Sequence, residues 1–241
     1  MILILGATDD DILYFRTKMD ISYVEKIAGK TEVFLGKYSG KQVAVSTTGL
    51  SNSLAAMITG LCIDKYHPYF VLNVGSLHAF DENLKQGDLY MADRVYLGGV
   101  DFTPWGNGIK YGQIAAMPQF FLSEDDYLLQ IETIGKKMTN KSLARGFVMS
   151  TNKFYTDRVK AESLINHHYA YVDGIDAFDT ELGGVALACR AFDIPWIALK
   201  SISYVIGHKD ELLNFIRKGL ETEPLIGNII STLFQELSEH D

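Results

Sequence analysis

Residues 179–205 read DTELGGVALACRAFDIPWIALKSISYV. Two periods meet in this stretch. Over 179–192 the apolar side chains recur at helical spacing and predict an amphipathic helix. After Asp193 and Pro195, Trp196, Ile197, Ala198 and Leu199 run without a polar break and predict a buried strand over 195–203. A helix followed at once by a buried strand is the repeating unit of an α/β domain. In such sheets ligands sit beyond the carboxyl ends of the strands. Tyr204 stands where this strand runs out, before the loop-like residues Gly207 to Asp210.

The same alternation extends in both directions. Strands are predicted over 1–5, 69–76, 87–97 and 144–150, and a pair within 31–49 around the turn Ser39-Gly40-Lys41. Helices are predicted over 10–19, 51–66 with Ser51 or Asn52 as cap, 123–139 with Ser123 as cap, 158–168, 210–220 and 223–238. No low-complexity linker or internal repeat divides the chain. The expectation is one α/β domain over residues 1–241 with a largely parallel sheet. Residues 98–121 break the rhythm as a long loop rich in glycine and aromatics, of the kind that serves an interface or a site.

At 241 residues and 47% hydrophobic content the chain can bury a large core without staples. The formal charge of −8, with no basic cluster longer than two, argues against nucleic acid as a partner. No apolar run approaches membrane-span length, and the N-terminal MILIL lacks the basic lead of a signal peptide. A cytoplasmic location follows as the expectation, with Cys62 and Cys189 as buried thiols.

Three stretches carry candidate chemistry. GATDDDI (6–12) follows a strand, as a phosphate cradle would, but its three aspartates repel phosphate; they equally suit a helix N-terminus. NVGSLHAF (73–80) offers Gly75 and Ser76 for close approach of a ligand, or is a plain strand-to-loop turn; His78 is either catalytic or simply packed. In IDAFDTELGGVALACRAF (175–192), Asp179 and Glu181 open a helix whose Gly183 and Gly184 cost about 1 kcal/mol each against alanine, which suggests close backbone approach. There is no HExxH, CxxC pair or GxSxG, so no metal and no cofactor is expected. Carboxylates and water acting on a neutral or cationic substrate fit better than phosphoryl transfer.

The ordered set GATDDDI, TTGLSNSLAA (47–56), LNVGSLHAF (72–80), LKQGDLYMAD (84–93), VDFTPWG (100–106), YGQI (111–114), RGFVMSTNKF (145–154) and DTELGGVALACRAFDIP (179–195) resembles the methylthioadenosine/S-adenosylhomocysteine nucleosidases of the nucleoside phosphorylase superfamily, over nearly the whole chain. The resemblance implies a three-layer αβα fold around a mixed, partly barrel-like sheet. It implies hydrolysis of the N-ribosidic bond of a purine nucleoside and a homodimer sharing its pockets. Asp11 matches the water-activating acid, one methylene shorter than the family's glutamate. Glu181 matches the acid that holds the ribose 2′-hydroxyl, Ser76 the serine near the water, and Lys200 an arginine beside it. Asp179 and Thr180 match the first two positions of the family's Glu-Met-Glu motif, and Phe154 the ring that stacks on the base. Thr8, His78, Tyr155 and Ser203 complete the implied substrate-binding set, and Phe102 and Trp105 match the side chains lent to the partner's pocket.

The departure is at Tyr204. The family reads Ser-Asp there, the aspartate protonating the leaving purine; here the pair is Ser203-Tyr204. A phenol with a reference pKa of about 10 is a weaker proton donor. The implied function is therefore a nucleosidase with altered leaving-group chemistry or specificity. A nucleoside-binding protein with impaired catalysis, and a phosphorolytic enzyme, remain alternatives.

Overall fold

A computed structural model describes residues 1–106 and 108–237. In chain order the elements are β1 (Ile2–Gly6), α1 (Asp9–Lys18), β2 (Asp20–Ile27), β3 (Thr31–Tyr38), β4 (Lys41–Thr47), α2 (Asn52–Tyr66), β5 (Phe70–Ala79), β6 (Leu89–Gly98) and β7 (Phe121–Leu122). They continue as α3 (Asp125–Met138), β8 (Leu143–Thr151), α4 (Arg158–His168), β9 (Ala177–Asp179), α5 (Leu182–Phe192), β10 (Trp196–Val205), α6 (Lys209–Leu212) and α7 (Phe215–Glu236).

The strands form one mixed sheet in the order β10-β6-β8-β9-β5-β1-β4-β3-β2, and β10 also pairs with β5. That extra pairing closes β5, β10, β6, β8 and β9 into a ring, the barrel-like part of the sheet. β1 shows why it lies at the centre. Its residues are fully buried on both faces: Leu3 and Leu5 pack with α2 and α5, Ile2 and Ile4 with α1, α3 and α7. A strand buried on both faces must be apolar throughout, and parallel neighbours on either side satisfy its backbone. The result is the expected three-layer αβα arrangement. A third, aromatic cluster gathers Tyr96, Tyr155, Tyr169, Phe178 and Tyr204 beside α4.

Several boundaries differ from the sequence reading. The strand expected over 195–203 runs two residues further, so Tyr204 and Val205 lie within β10 and are buried, not in a loop. The helix expected from Asp179 starts at Leu182, because Asp179 belongs to the short strand β9, and its carboxylate caps the helix from outside. Ser123 does not cap α3; its hydroxyl donates to the Ala92 carbonyl, and the helix begins two residues later. The predicted break between 220 and 223 is absent: α7 continues through Pro224, held by the buried stripe Ile226, Ile229, Ile230, Leu233 and Phe234. Residue 238, the end of the helix expected there, lies outside the described residues. β2 was not foreseen, since most of its side chains are exposed and carry no alternation. Ser51 does cap α2, accepting from the Leu54 N–H at 3.1 Å, and both cysteines are free and buried.

Candidate active site

Three parallel strand ends bring the candidate residues together. β1 ends at Gly6 and leads into α1, whose first turn holds Asp11. β5 and β10 run side by side with Gly75 opposite Lys200 and Ser76 opposite Ser201. β9, paired with β5 and β8, delivers Asp179, Thr180 and Glu181 to the same end.

Lys200 is the hub. Its side chain is completely buried, and its Nζ donates to Asp179 Oδ2 at 2.9 Å and to Glu181 Oε1. Burial alone would lower the ammonium's pKa, but the two carboxylates outweigh it and keep Lys200 charged. Burial also pushes both acids up. Lys200 and the hydrogen bonds to Asp179 hold that carboxyl below its usual range, while Glu181, facing Asp179's charge, is pushed up to about 8.

The two acids have different surroundings. Asp179 Oδ1 accepts from the N–H groups of Glu181 at 2.9 Å and Leu182 at 2.6 Å, and Oδ2 takes Lys200. Ser150 Oγ lies 2.8 Å from both Asp179 Oδ1 and Asn52 Oδ1, its single proton going to one of them. Asp179 is thus saturated by protein and acts as a strut. Glu181 has Thr180 Oγ1 at 3.1 Å and Lys200, and retains acceptor capacity for a ligand.

Asp11 faces this pair across Gly75. Its Oδ2 accepts from the Thr8 N–H at 2.8 Å and the Thr8 hydroxyl at 2.9 Å, which fixes the side chain. Burial raises its pKa against the lowering pull of Lys200 and Thr8. Gly75 has φ of +125°, and a Cβ there would sit 2.8 Å from Asp11 Oδ1. The close approach expected at Gly75 is therefore to a side chain of the site itself. Ser76 follows it, half-buried.

Beyond Lys200 the site turns aromatic. The His78 ring stacks on Tyr204 at 4.7 Å between centroids and 29° between planes, with Phe154 edge-on to His78 at 4.4 Å. Tyr204 donates its hydroxyl proton to the Tyr155 carbonyl, and Ser203 donates to the Leu77 carbonyl at 2.9 Å. Burial lowers His78 to about 4, so the ring is neutral near neutrality. Tyr155 itself also lines a cavity of about 470 Å³ with Asn52, Tyr111, Asn152, Gly183 and Gly184. Phe102 and Trp105 lie apart from the charge cluster on the outer loop, 5.8 Å from each other, and Trp105 is 75% exposed.

Sequence reasoning missed Asn52 and Ser150, which tie α2 and β8 to Asp179 and the start of α5. Their signal was present only as a serine at a strand end and an asparagine at a helix start. Among the described residues no group of three or more histidine, cysteine or carboxylate side chains is placed to hold a metal ion. No helix among them is long and apolar enough to cross a membrane.

Known proteins are similar to this chain in sequence and in shape. It is 28% identical over 209 residues to a 5′-methylthioadenosine/S-adenosylhomocysteine nucleosidase of Psychromonas ingrahamii, covering 87% of each chain. A protein of the same name from Marinomonas is 28% identical over 204 residues, covering 85% of each. Among solved structures, a putative nucleosidase of that name from Borrelia burgdorferi, bound to adenine, superposes with a TM-score of 0.87 at 24% identity, over 98% of this chain and 100% of that one. The Neisseria meningitidis nucleosidase in complex with methylthio-immucillin-A gives 0.86 at 18% identity, over 98% and 99%. Residues 1–224 match the family model described as the phosphorylase superfamily, and the chain belongs to that superfamily.

Proposed function

We propose that the protein is a nucleosidase: it hydrolyses the N-ribosidic bond of a purine nucleoside of the 5′-methylthioadenosine or S-adenosylhomocysteine kind, with altered leaving-group chemistry. The observation that carries this reading is the Asp11–Lys200–Glu181 arrangement. Asp11, held by Thr8 beside Gly75, is a carboxylate with raised basicity and is suited to take a proton from water. Glu181 keeps acceptor capacity for a ribose hydroxyl, and the buried carboxylates favour the positive charge that develops at C1′ as the base departs. The names of the relatives at 28% identity support the same chemistry. Ser76 and Phe154 serve as substrate contacts, and a homodimer in which Phe102 and Trp105 reach the partner completes the site.

Hydrolysis is favoured over phosphorolysis because Asp9, Asp10 and Asp11 occupy the first turn of α1, where a phosphate would have to sit. One observation favours a binding protein with impaired catalysis as the second reading. Tyr204 and Ser203, at the position of the leaving-group acid, both give their protons to backbone carbonyls. Chromatographic detection of free base from 5′-methylthioadenosine and S-adenosylhomocysteine, with Glu181→Gln as control, separates the two. Release lost in the variant supports the nucleosidase, and tight binding without release supports the alternative.

A further inference from the structure

Breaking a C1′–N bond leaves the bonding electron pair on the ring nitrogen of the base. A neutral base then departs as an anion unless a general acid protonates it, an aid worth about 10²–10⁴-fold. A base that already carries a positive charge needs no proton, because the electron pair neutralises it.

The wall at the carboxyl end of β10 bears on this difference. Tyr204 donates to the Tyr155 carbonyl, and Ser203 donates to the Leu77 carbonyl at 2.9 Å. His78 is buried between Tyr204 and Phe154 and holds no extra proton to give near neutrality. Past the strand, Glu211 accepts from the Val205 N–H at 2.8 Å and faces His208 at 3.1 Å. Of its three rings, Tyr204 and His78 are buried against each other and Phe154 is the exposed one, a ring whose π face attracts cations. Next to it lie Asp11, the ionised Asp179 paired with the ammonium of Lys200, and Glu181, which is pushed up to about 8 and is largely protonated near neutrality. His78 pairs across the sheet with Phe178, the residue before Asp179, and lies three residues beyond Gly75, which faces Lys200, so the ring wall adjoins the charge cluster. Asp179 and Lys200 offset each other, so the ionised form of Asp11 that takes the water's proton is what favours an incoming positive charge.

The geometry points to a substrate class for the nucleosidase proposed above, on which this inference rests: ribonucleosides whose leaving base is already cationic, an N7-alkylated purinium or an N-ribosyl pyridinium. In the reaction the C1′–N bond breaks and its electron pair neutralises the base. Water oxygen forms the new C1′–O bond, and Asp11 takes the water's proton and passes it to solvent. Nucleoside cation and water become neutral base, ribose and one released proton.

The test compares matched substrates with the full chain. 7-Methylguanosine and guanosine share one ribose and differ by the N7 methyl group and the positive charge it brings; N-ribosylnicotinamide, adenosine and 5′-methylthioadenosine extend the set. Free base is followed by chromatography, and each rate is normalised to the spontaneous hydrolysis of the same compound. The expected kcat/KM for 7-methylguanosine exceeds that for guanosine by about 10²-fold or more after normalisation. As the pH falls, guanosine cleavage rises relative to that of N-ribosylnicotinamide, whose base carries no titratable proton, because solvent must supply the proton to the departing guanine while the loss of Asp11 as base is common to both. Tyr204→Asp restores an acid, and the neutral substrates are expected to gain about tenfold or more, which narrows the ratio. If that variant fails to fold by circular dichroism, the pH profiles of the unaltered protein carry the test alone. Normalised rates on guanosine or 5′-methylthioadenosine equal to or above those on the cationic substrates overturn the inference and leave the nucleosidase reading standing. No base from any of the five overturns both.

Discussion

Lys200 offsets the charge of the buried Asp179 and donates to Glu181 as well, so its removal leaves Asp179 buried and unpaired. Lys200→Met is expected to cost about 3–5 kcal/mol in denaturant unfolding, the range for a broken buried pair. Tyr204→Phe removes one hydrogen bond and leaves the Tyr155 carbonyl without that donor, at a cost of about 1–3 kcal/mol read in the same experiment. His78 gives a pH signature. Its pKa falls from the ordinary 6.5 to about 4 on folding, so its contribution is present above 6.5 and is lost as the pH falls through about 4. A shift of that size is on the order of 3 kcal/mol. The melting temperature of the protein relative to His78→Phe is expected to fall as the pH falls across this window. The site was only partly legible in the sequence at this level. Resemblance brought forward Asp11, Glu181 and Lys200 as single residues. That Lys200 bonds Asp179 and Glu181 together depends on β9 and β10 both flanking β5, which no local pattern records. Tyr204 stood out as foreign, but its bond to a backbone carbonyl 49 residues away could not be read.

Gly75 and Gly184 set how closely elements approach. At Gly75 the backbone is in a region that L side chains avoid, and a Cβ would press on Asp11. Gly75→Ala is expected to displace Asp11 and lower kcat by about tenfold or more, with a smaller change in KM. At Gly184, where α5 crosses α2, a Cβ would overlap the Asn52 carbonyl, the reason a glycine is tolerated inside a helix there. Glu223 on α7 makes a second pH prediction. Burial, then the charge of Asp11, pushes it from the ordinary 4.5 up to about 8. Its stabilising contribution is therefore present below 4.5 and is lost as the pH rises through about 8. Melting temperatures of the protein relative to Glu223→Gln are expected to fall over that interval. Helices and central strands were legible because their periodicity is strong and their caps are ordinary. The errors cluster where one residue type can serve two structures. Asp179 reads as a helix cap yet sits in a strand, and Pro224 reads as a breaker yet lies within α7 because the buried stripe beyond it outweighs its local preference.

The whole molecule places its charge cluster where the open part of the mixed sheet meets the closed ring of five strands; the largely parallel sheet expected from the sequence is not found, because β3 runs antiparallel to both β2 and β4. The three-layer arrangement was legible from alternating elements together with the resemblance; the ring was not derivable from either spacing or hydropathy, because it depends on β10 pairing with β5 and β6 at once. Leu50, Leu54, Met57, Leu61, Phe102 and Trp105 remain exposed on the single chain. The proposed homodimer covers such residues, and sedimentation is expected to show twice the chain mass, with Trp105→Ala weakening the association. The most direct test of the chemistry is base release from 5′-methylthioadenosine, S-adenosylhomocysteine and 7-methylguanosine with and without phosphate, by the protein and by Asp11→Asn and Glu181→Gln. Release that is independent of phosphate and falls by about 10²-fold or more in each variant is the expected result. Release that requires phosphate, or that survives both substitutions, would contradict the hydrolytic role assigned to Asp11 and Glu181.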